Sequence, residues 1–196
     1  MSPAPPPASS PSSAPHDLPE LEAARLRLVP YGIGPATAAV FSQITTDPAV
    51  YWWRDTPLTV EQQTAHFESG ALFADAVEGM GYWAVFPKDA DTALGQVILQ
   101  PLQDSGLIEI GWHFLKSARG HGYATEAGAR LLAHGFDHLK IETIYAVIRP
   151  SNGPSVYVAQ RIGMQADGHG VYYGIRHMRF RLTQAQHDAF RKDSAP

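Results

Sequence analysis

No cysteine occurs among the 196 residues, which excludes a disulfide scaffold, a thiolate zinc site, an iron-sulfur cluster and a cysteine nucleophile together. Basic charge is scarce too: 15 Lys and Arg stand against 19 Asp and Glu, a formal net charge of -4. Affinity built on neutralising phosphates along a nucleic acid is therefore not expected. No apolar run reaches the roughly 20 residues that a membrane helix needs, and the amino terminus lacks a basic stretch followed by an apolar one. Neither a nucleic acid nor a membrane is an expected partner, and the cytoplasm is the expected location. What is present, 44% hydrophobic and 17% charged residues, suits one globular domain of ordinary size.

Pro3, Pro5, Pro6, Pro7, Pro11, Pro15 and Pro19 crowd the start among Ala and Ser. Such a segment buries too little apolar surface to offset its ordering entropy, so residues 1–19 read as a disordered leader and 20–196 as the folded domain. Arg25 to Pro30 alternates polar and apolar, the pattern of a half-buried strand. Helices are expected at about Ala36 to Ile44 and, opened by the capping-box spacing of Thr59 and Gln62, from there to about Val77. Three strands follow, Gly81 to Phe86, Ala93 to Gln100 and Leu107 to Phe114. Turns at Pro87 to Asp91 and Gln103 to Gly106 make them an antiparallel meander.

After Phe114 the period changes from 2 to 3.6, with Gly128, Leu132, Phe136 and Leu139 on one face of a helix from about Gly122 to His138. A strand Ile141 to Ile148, a helix Asn152 to Arg161, strands at about Met164 to Asp167 and Gly174 to Leu182, and a helix Thr183 to Phe190 complete the chain. The strand-helix-strand order from Leu107 to Ile148 requires a right-handed crossover and a parallel pair.

Arg119-Gly120-His121-Gly122-Tyr123-Ala124-Thr125 lies where a strand gives way to a helix. Two glycines let backbone approach a ligand, and a helix start offers unpaired N–H groups with partial positive charge. The segment reads as a cradle for a phosphate or pyrophosphate, with Arg119 as charge partner. Tyr123 after the second glycine excludes the Walker pattern, and Thr125 in place of a third glycine argues against a Rossmann fingerprint.

Arg119-x-x-Gly122-x-Ala124 resembles the Arg/Gln-x-x-Gly-x-Gly/Ala signature of the GNAT superfamily of acyl-CoA-dependent N-acetyltransferases. Ala24 to Leu28, Glu109-Ile-Gly-Trp112, the glycine segment, Asn152-x-x-Ser155 and Ile162-Gly163-Met164 are more narrowly similar to its RimJ/RimL branch. The resemblance implies an α/β (α+β) GNAT fold: a mixed, mostly antiparallel sheet whose central parallel strand pair splays apart, flanked by helices. It implies acetyl-CoA as co-substrate without a metal, its pantetheine arm between the splayed strands near Phe114 and Leu115, and its pyrophosphate on Arg119, Gly120, His121, Gly122, Tyr123, Ala124 and Thr125. The partner is then an amine acceptor, a small molecule or a peptide N-terminus, handled by a monomer or homodimer.

Roles follow from the same resemblance. Glu109 is expected to take the proton of the acceptor ammonium, or else is an ordinary strand carboxylate paired with a neighbour. Ser155 is expected to protonate the departing thiolate, or else packs or caps its helix. Asn152 contacts the pantetheine, caps the helix, or both. Many members use a tyrosine where this chain has Ala159. Trp52 and Trp53, with Tyr51 and Arg54, build the acceptor cleft or the core, and Tyr172, with Tyr173, is expected to close that cleft. His134 and His138 are four apart but lack a third ligand and an intervening Glu, so no metal is expected there. The rival reading is a binding module that kept the CoA cradle and lost catalysis.

Overall fold

The computed structural model describes residues 18–32, 35–50, 59–68 and 77–193. Alternation forms its first strands: in β2 (Leu26–Pro30), paired with the two-residue β1 (Leu21–Glu22), Leu26 and Leu28 are wholly buried while Arg27 turns outward to Asp91. Then come α1 (Pro35–Thr45) and α2 (Val60–Glu68). The capping box at the start of α2 is reciprocal, since Gln62 N–H donates to Thr59 Oγ1 at 3.2 Å and Thr59 N–H to Gln62 Oε1 at 2.9 Å. Val77, the expected end of this helix, lies outside it in a turn closed by Met80 N–H, and residues 69–76 are outside the described set.

The meander is β3 (Gly81–Pro87), β4 (Gly95–Pro101) and β5 (Ile108–Phe114). A crossover through α3 (Tyr123–Ala133) leads to β6 (Thr143–Ile148). The chain ends with α4 (Gly153–Arg161), β7 (Gln165–Tyr172), β8 (Ile175–Thr183) and α5 (Gln184–Asp193). The eight strands lie in the order β1-β2-β3-β4-β5-β6-β8-β7, with β5 and β6 parallel and the other neighbours antiparallel. This is the mixed α/β architecture, antiparallel but for one central parallel pair, that the resemblance implies.

Period two divides the sheet's faces. Trp83, Val85, Val97, Leu99 and Ile110 point to the main core with Leu131, Leu132 and Phe136 of the crossover. Ala84, Tyr82 and Phe86 point the other way, toward Tyr31 after β2 and Phe41 of α1. The polar Gln96, Gln100 and Glu109 share this second face by the same alternation.

Three sequence expectations need correction. α-Helical bonding in the crossover stops at Ala133, and the last turn, His134–His138, is a π-turn in which Leu139 N–H donates to His134 O at 3.2 Å. The folded region begins before Pro19: Trp83 Nε1 donates to Pro19 O at 2.9 Å, and Leu18 packs on the core. Finally, β7 runs on to Tyr172, so the last two strands are a hairpin whose turn is Tyr173-Gly174. Gly174 is not a strand residue, because its φ of +74° belongs to a turn.

Candidate active site

β5 and β6 pair only at Ile108–Ile144 and Glu109–Tyr145. Beyond Glu109 the two strands diverge, because β5 stays laddered to β4 as far as Phe114 while β6 stays laddered to β8 as far as Ile148. The wedge opens into a cleft of about 1600 Å³ lined by Ile110, Trp112 and Phe114 on one side and Ala146 and Ile148 on the other. Leu115 N–H donates to Leu94 O at 3.0 Å. Backbone direction alternates along an antiparallel pair, so Phe114 and Trp112 turn their N–H and C=O groups toward the wedge. Leu115, expected to pair there with Phe114, faces β4 instead and does not line the cleft.

At the wedge's end Gly120 and Gly122 take φ of +83° and +78°, a region that side chains with a Cβ disfavour, and Gly122 is the N-cap of α3. Arg119, Gly120, Gly122, Tyr123, Ala124 and Thr125 all line the cleft. The first-turn N–H groups of α3 have no acceptor inside their own helix, which makes this rim suited to an anion. Arg119 spans the corner: its Nε and Nη2 donate to Phe114 O at 3.2 Å, and Nη2 also donates to Ala49 O at 2.6 Å. His121 is exposed and stacks on Tyr123 at 5.6 Å, outside the cleft lining.

Across the wedge, Asn152 caps α4 by accepting from Ser155 N–H at 3.3 Å, and both residues line the cleft. Ala159, one helical turn further on, is wholly buried. Arg149 and Arg161 add positive charge to this wall.

Glu109 sits where the pairing of β5 and β6 ends and is 7% exposed. Its Oε1 accepts from Gln100 Nε2 at 2.6 Å and from Tyr173 Oη; Tyr82 Oη in turn donates to Gln100 Oε1 at 2.6 Å. Burial pushes this carboxyl above the ordinary carboxylate range, and the hydrogen bonds from Tyr173 and Gln100 draw it part of the way back. Burial and the Glu109 charge push the Tyr173 phenol up, so it stays a donor. Glu109 is thus paired with its cross-strand neighbour Gln100 as well as with Tyr173, and no salt bridge joins it to a cation among the described residues.

Trp52 and Trp53 lie outside the described residues. Tyr172 turns from the cleft to accept from Arg179 Nη1 at 3.1 Å, while its neighbour Tyr173 lines the cleft with His177. His134 is buried with Nε2 2.9 Å from Gly79 O and its ring against Trp83; among the described residues no three ligating side chains cluster.

The model of the acetyltransferase (GNAT) domain family matches residues 25–165. The chain belongs to this family. Among similar proteins is the Bacillus subtilis N-acetyltransferase YnaD, 33% identical over 84 residues, 43% of this chain and 49% of that protein. The chain thus spans about half the length of that relative. The Bacillus subtilis protein YkkB is 30% identical over 129 residues, 65% of this chain and 74% of the relative. Among solved structures, Mycobacterium smegmatis RimJ in complex with CoA-disulfide superposes with a TM-score of 0.66 at 22% identity, covering 90% of this chain and 95% of that one. Spermidine N-acetyltransferase from Vibrio cholerae, in complex with CoA and spermine, gives 0.67 at 14% identity, over 83% of this chain and 98% of that one. At these identities the likeness is one of fold.

In this GNAT chain, residues not singled out from sequence also shape the site. Gln100 was legible in principle, because a turn centred on Asp104 and Ser105 forces it opposite Glu109. Arg25 was not. It carries the outward register of a strand, yet its N–H and Nε reach both oxygens of Glu126, at 2.7 and 2.8 Å, and its Nη2 donates to His121 O at 3.1 Å.

Proposed function

We propose that the protein transfers an acetyl group from acetyl-CoA to a primary amine, a peptide N-terminus or a small amine, in the manner of the RimJ/RimL branch. The observation that carries this is a buried carboxylate, Glu109, at the apex of a wedge between parallel strands, with an anion-suited helix start at the wedge's open end. The residues fit the co-substrate. A Cβ built on Gly120 meets nothing within 4 Å, so the rim is open, and Arg119, Arg149 and Arg161 give the wall positive charge. The cradle from Arg119 to Thr125 would hold the pyrophosphate and the backbone of Trp112 and Phe114 the pantetheine. Residues 20–196, with Leu18 and Pro19 packed against them, act as the catalytic unit, in the cytoplasm.

Glu109 takes a proton from the acceptor ammonium, and the freed nitrogen attacks the thioester carbonyl carbon. The C–N bond forms, the C–S bond breaks, the nitrogen gives its second proton to water, Ser155 passes a proton to the departing thiolate and regains one from solvent, and Glu109 returns its own proton to solvent. A backbone N–H donor at the splay would lower the barrier by about 3 kcal/mol. The buried Ala159, where many relatives place a tyrosine, favours the rival in which CoA binds without turnover. A panel of amines followed by mass shift separates the two: tight CoA binding with no acetylated product on any amine removes the enzyme reading. Within that assay Glu109→Gln is expected to lower kcat by about 100-fold, the lower end of what a general base contributes, and to flatten the acid limb of the pH profile. An unaltered profile would remove Glu109 as base.

A further inference from the structure

The hydroxyl of Tyr173 reaches Glu109 from an unusual backbone. Tyr172 pairs with Ile175, leaving Tyr173 and Gly174 as a two-residue turn with φ of +52° and +74°. Both positive values define a type I′ turn, whose first place ordinarily takes Asn, Asp or Gly; a tyrosine there is sterically disfavoured. Surrounding groups hold it in place. Tyr173 N–H donates to Gln103 Oε1 at 2.8 Å from the turn between β4 and β5, and its ring meets His177 edge-on at 6.4 Å. The residue is 49% exposed, yet its hydroxyl lies on a buried carboxylate.

Every donor to that carboxylate converges on one oxygen. Oε1 accepts from both Gln100 Nε2 and Tyr173 Oη, and the Gln100 amide is itself oriented because its oxygen is taken by Tyr82. Oε2 accepts no hydrogen bond among the described residues, and it is not one of the fully enclosed polar atoms that lack a partner. The two oxygens are therefore unequal: one is anchored and the other opens on the cleft.

We propose that Tyr173 is a positioning residue of the acyl transfer, clamping Glu109 Oε1 from the hairpin tip so that Oε2 is reserved for the acceptor ammonium. The proposal rests on Glu109 being the base. The titratable groups around that carboxyl are Tyr173 on the tip, Tyr82 behind Gln100 and Tyr145 across β6, with His113 and His177 on the same cleft. A hydroxyl that donates to the ionised carboxylate lowers its proton affinity, so losing the hydroxyl raises it. A base works only when deprotonated; the acid limb of kcat/KM must then move to higher pH.

The test is Tyr173→Phe, which keeps the ring, compared with Glu109→Gln and the unsubstituted protein. Expected are an acid limb displaced upward, a kcat reduced about tenfold and a KM for acetyl-CoA unchanged. Carbon-13 NMR titration of the Glu109 carboxyl in the free protein reads the same shift without any acceptor. Tyr173→Gly checks folding: it frees the strained turn, so its Tm is expected to hold or rise while the titration shifts as in the Phe variant. If Tyr173→Phe titrates like the unsubstituted protein while Glu109→Gln loses the acid limb, the proposal falls and the base stands. If Glu109→Gln keeps the limb, both fall. A Tyr173→Gly protein with lower Tm and an unmoved titration would mark a merely structural residue and overturn the proposal as well.

Discussion

Single residues differ in why they are where they are, and Gly122 shows the sharpest demand. Its φ of +78° places it in the left-handed region, and the nearest atom to a Cβ built there is Arg25 Nη2 at 3.7 Å. Conformation, not crowding, selects glycine at the start of α3. Gly122→Val is therefore expected to bend the rim away from its anion-binding shape and to weaken CoA affinity by about tenfold or more, at a stability cost of about 1–2 kcal/mol. Calorimetric titration with CoA checks the first and thermal melting the second. Unchanged affinity would remove the cradle from the mechanism. Asn152 is a plainer case, for the side chain that resembles a CoA contact also caps α4, and one side chain can do both.

Elements are fastened to one another by groups far apart in the chain. The first turn of α3 carries Glu126, a full negative charge at a helix end proposed to hold a diphosphate. Arg25, at the foot of β2, neutralises that charge with two hydrogen bonds, fixes the loop through His121 O and lies 4.9 Å from the Tyr123 ring centre. The guanidinium side chain is 54% exposed, so the pair adds under about 1 kcal/mol to folding. Its larger effect is expected on the site. Arg25→Gln should raise the KM for acetyl-CoA several-fold, more at low salt than at high, with kcat and Tm little changed. Steady-state kinetics at two ionic strengths check this, and the same KM in variant and unsubstituted protein would show the pair to be ornamental.

At the scale of the whole molecule, two buried histidines are expected to couple stability to pH. His187 of α5 is 4% exposed, stacks on Phe136 at 4.8 Å, and neither ring nitrogen has a hydrogen-bond partner among the described residues. Burial, then the nearby Arg191 charge, pushes its pKa below the ordinary imidazole value; Asp137 and Asp188 act weakly the other way. The same direction holds for His134, also through burial first. An imidazole depressed in the folded chain binds its proton first in the unfolded one. The contribution of these two histidines is thus full above the ordinary pKa of about 6.5 and is lost as pH drops below it, whereas the raised Glu109 carboxyl acts in the opposite sense. His187→Phe is expected to lessen, not abolish, the loss of Tm between pH 7.5 and 5.5, since His134 still contributes. Thermal melts at the two values check it, and equal losses in both proteins would refute it.

Much of this architecture was legible along the chain. Alternation in Arg25 to Pro30, the change of period after Phe114 and the glycine segment from Arg119 are local patterns, and local geometry converts them into strand, helix and open helix start without reference to the rest of the fold. The same locality explains the misses. Whether the crossover ends in an α- or π-turn, and whether Tyr172 or Tyr173 faces the cleft, depends on what packs against them. Above all, Tyr173 meets Glu109 across 64 positions and Arg25 meets Glu126 across 101. Strand order and hairpin register create those meetings. Chemistry that needs two side chains on one oxygen is therefore written only when distant strands are brought side by side.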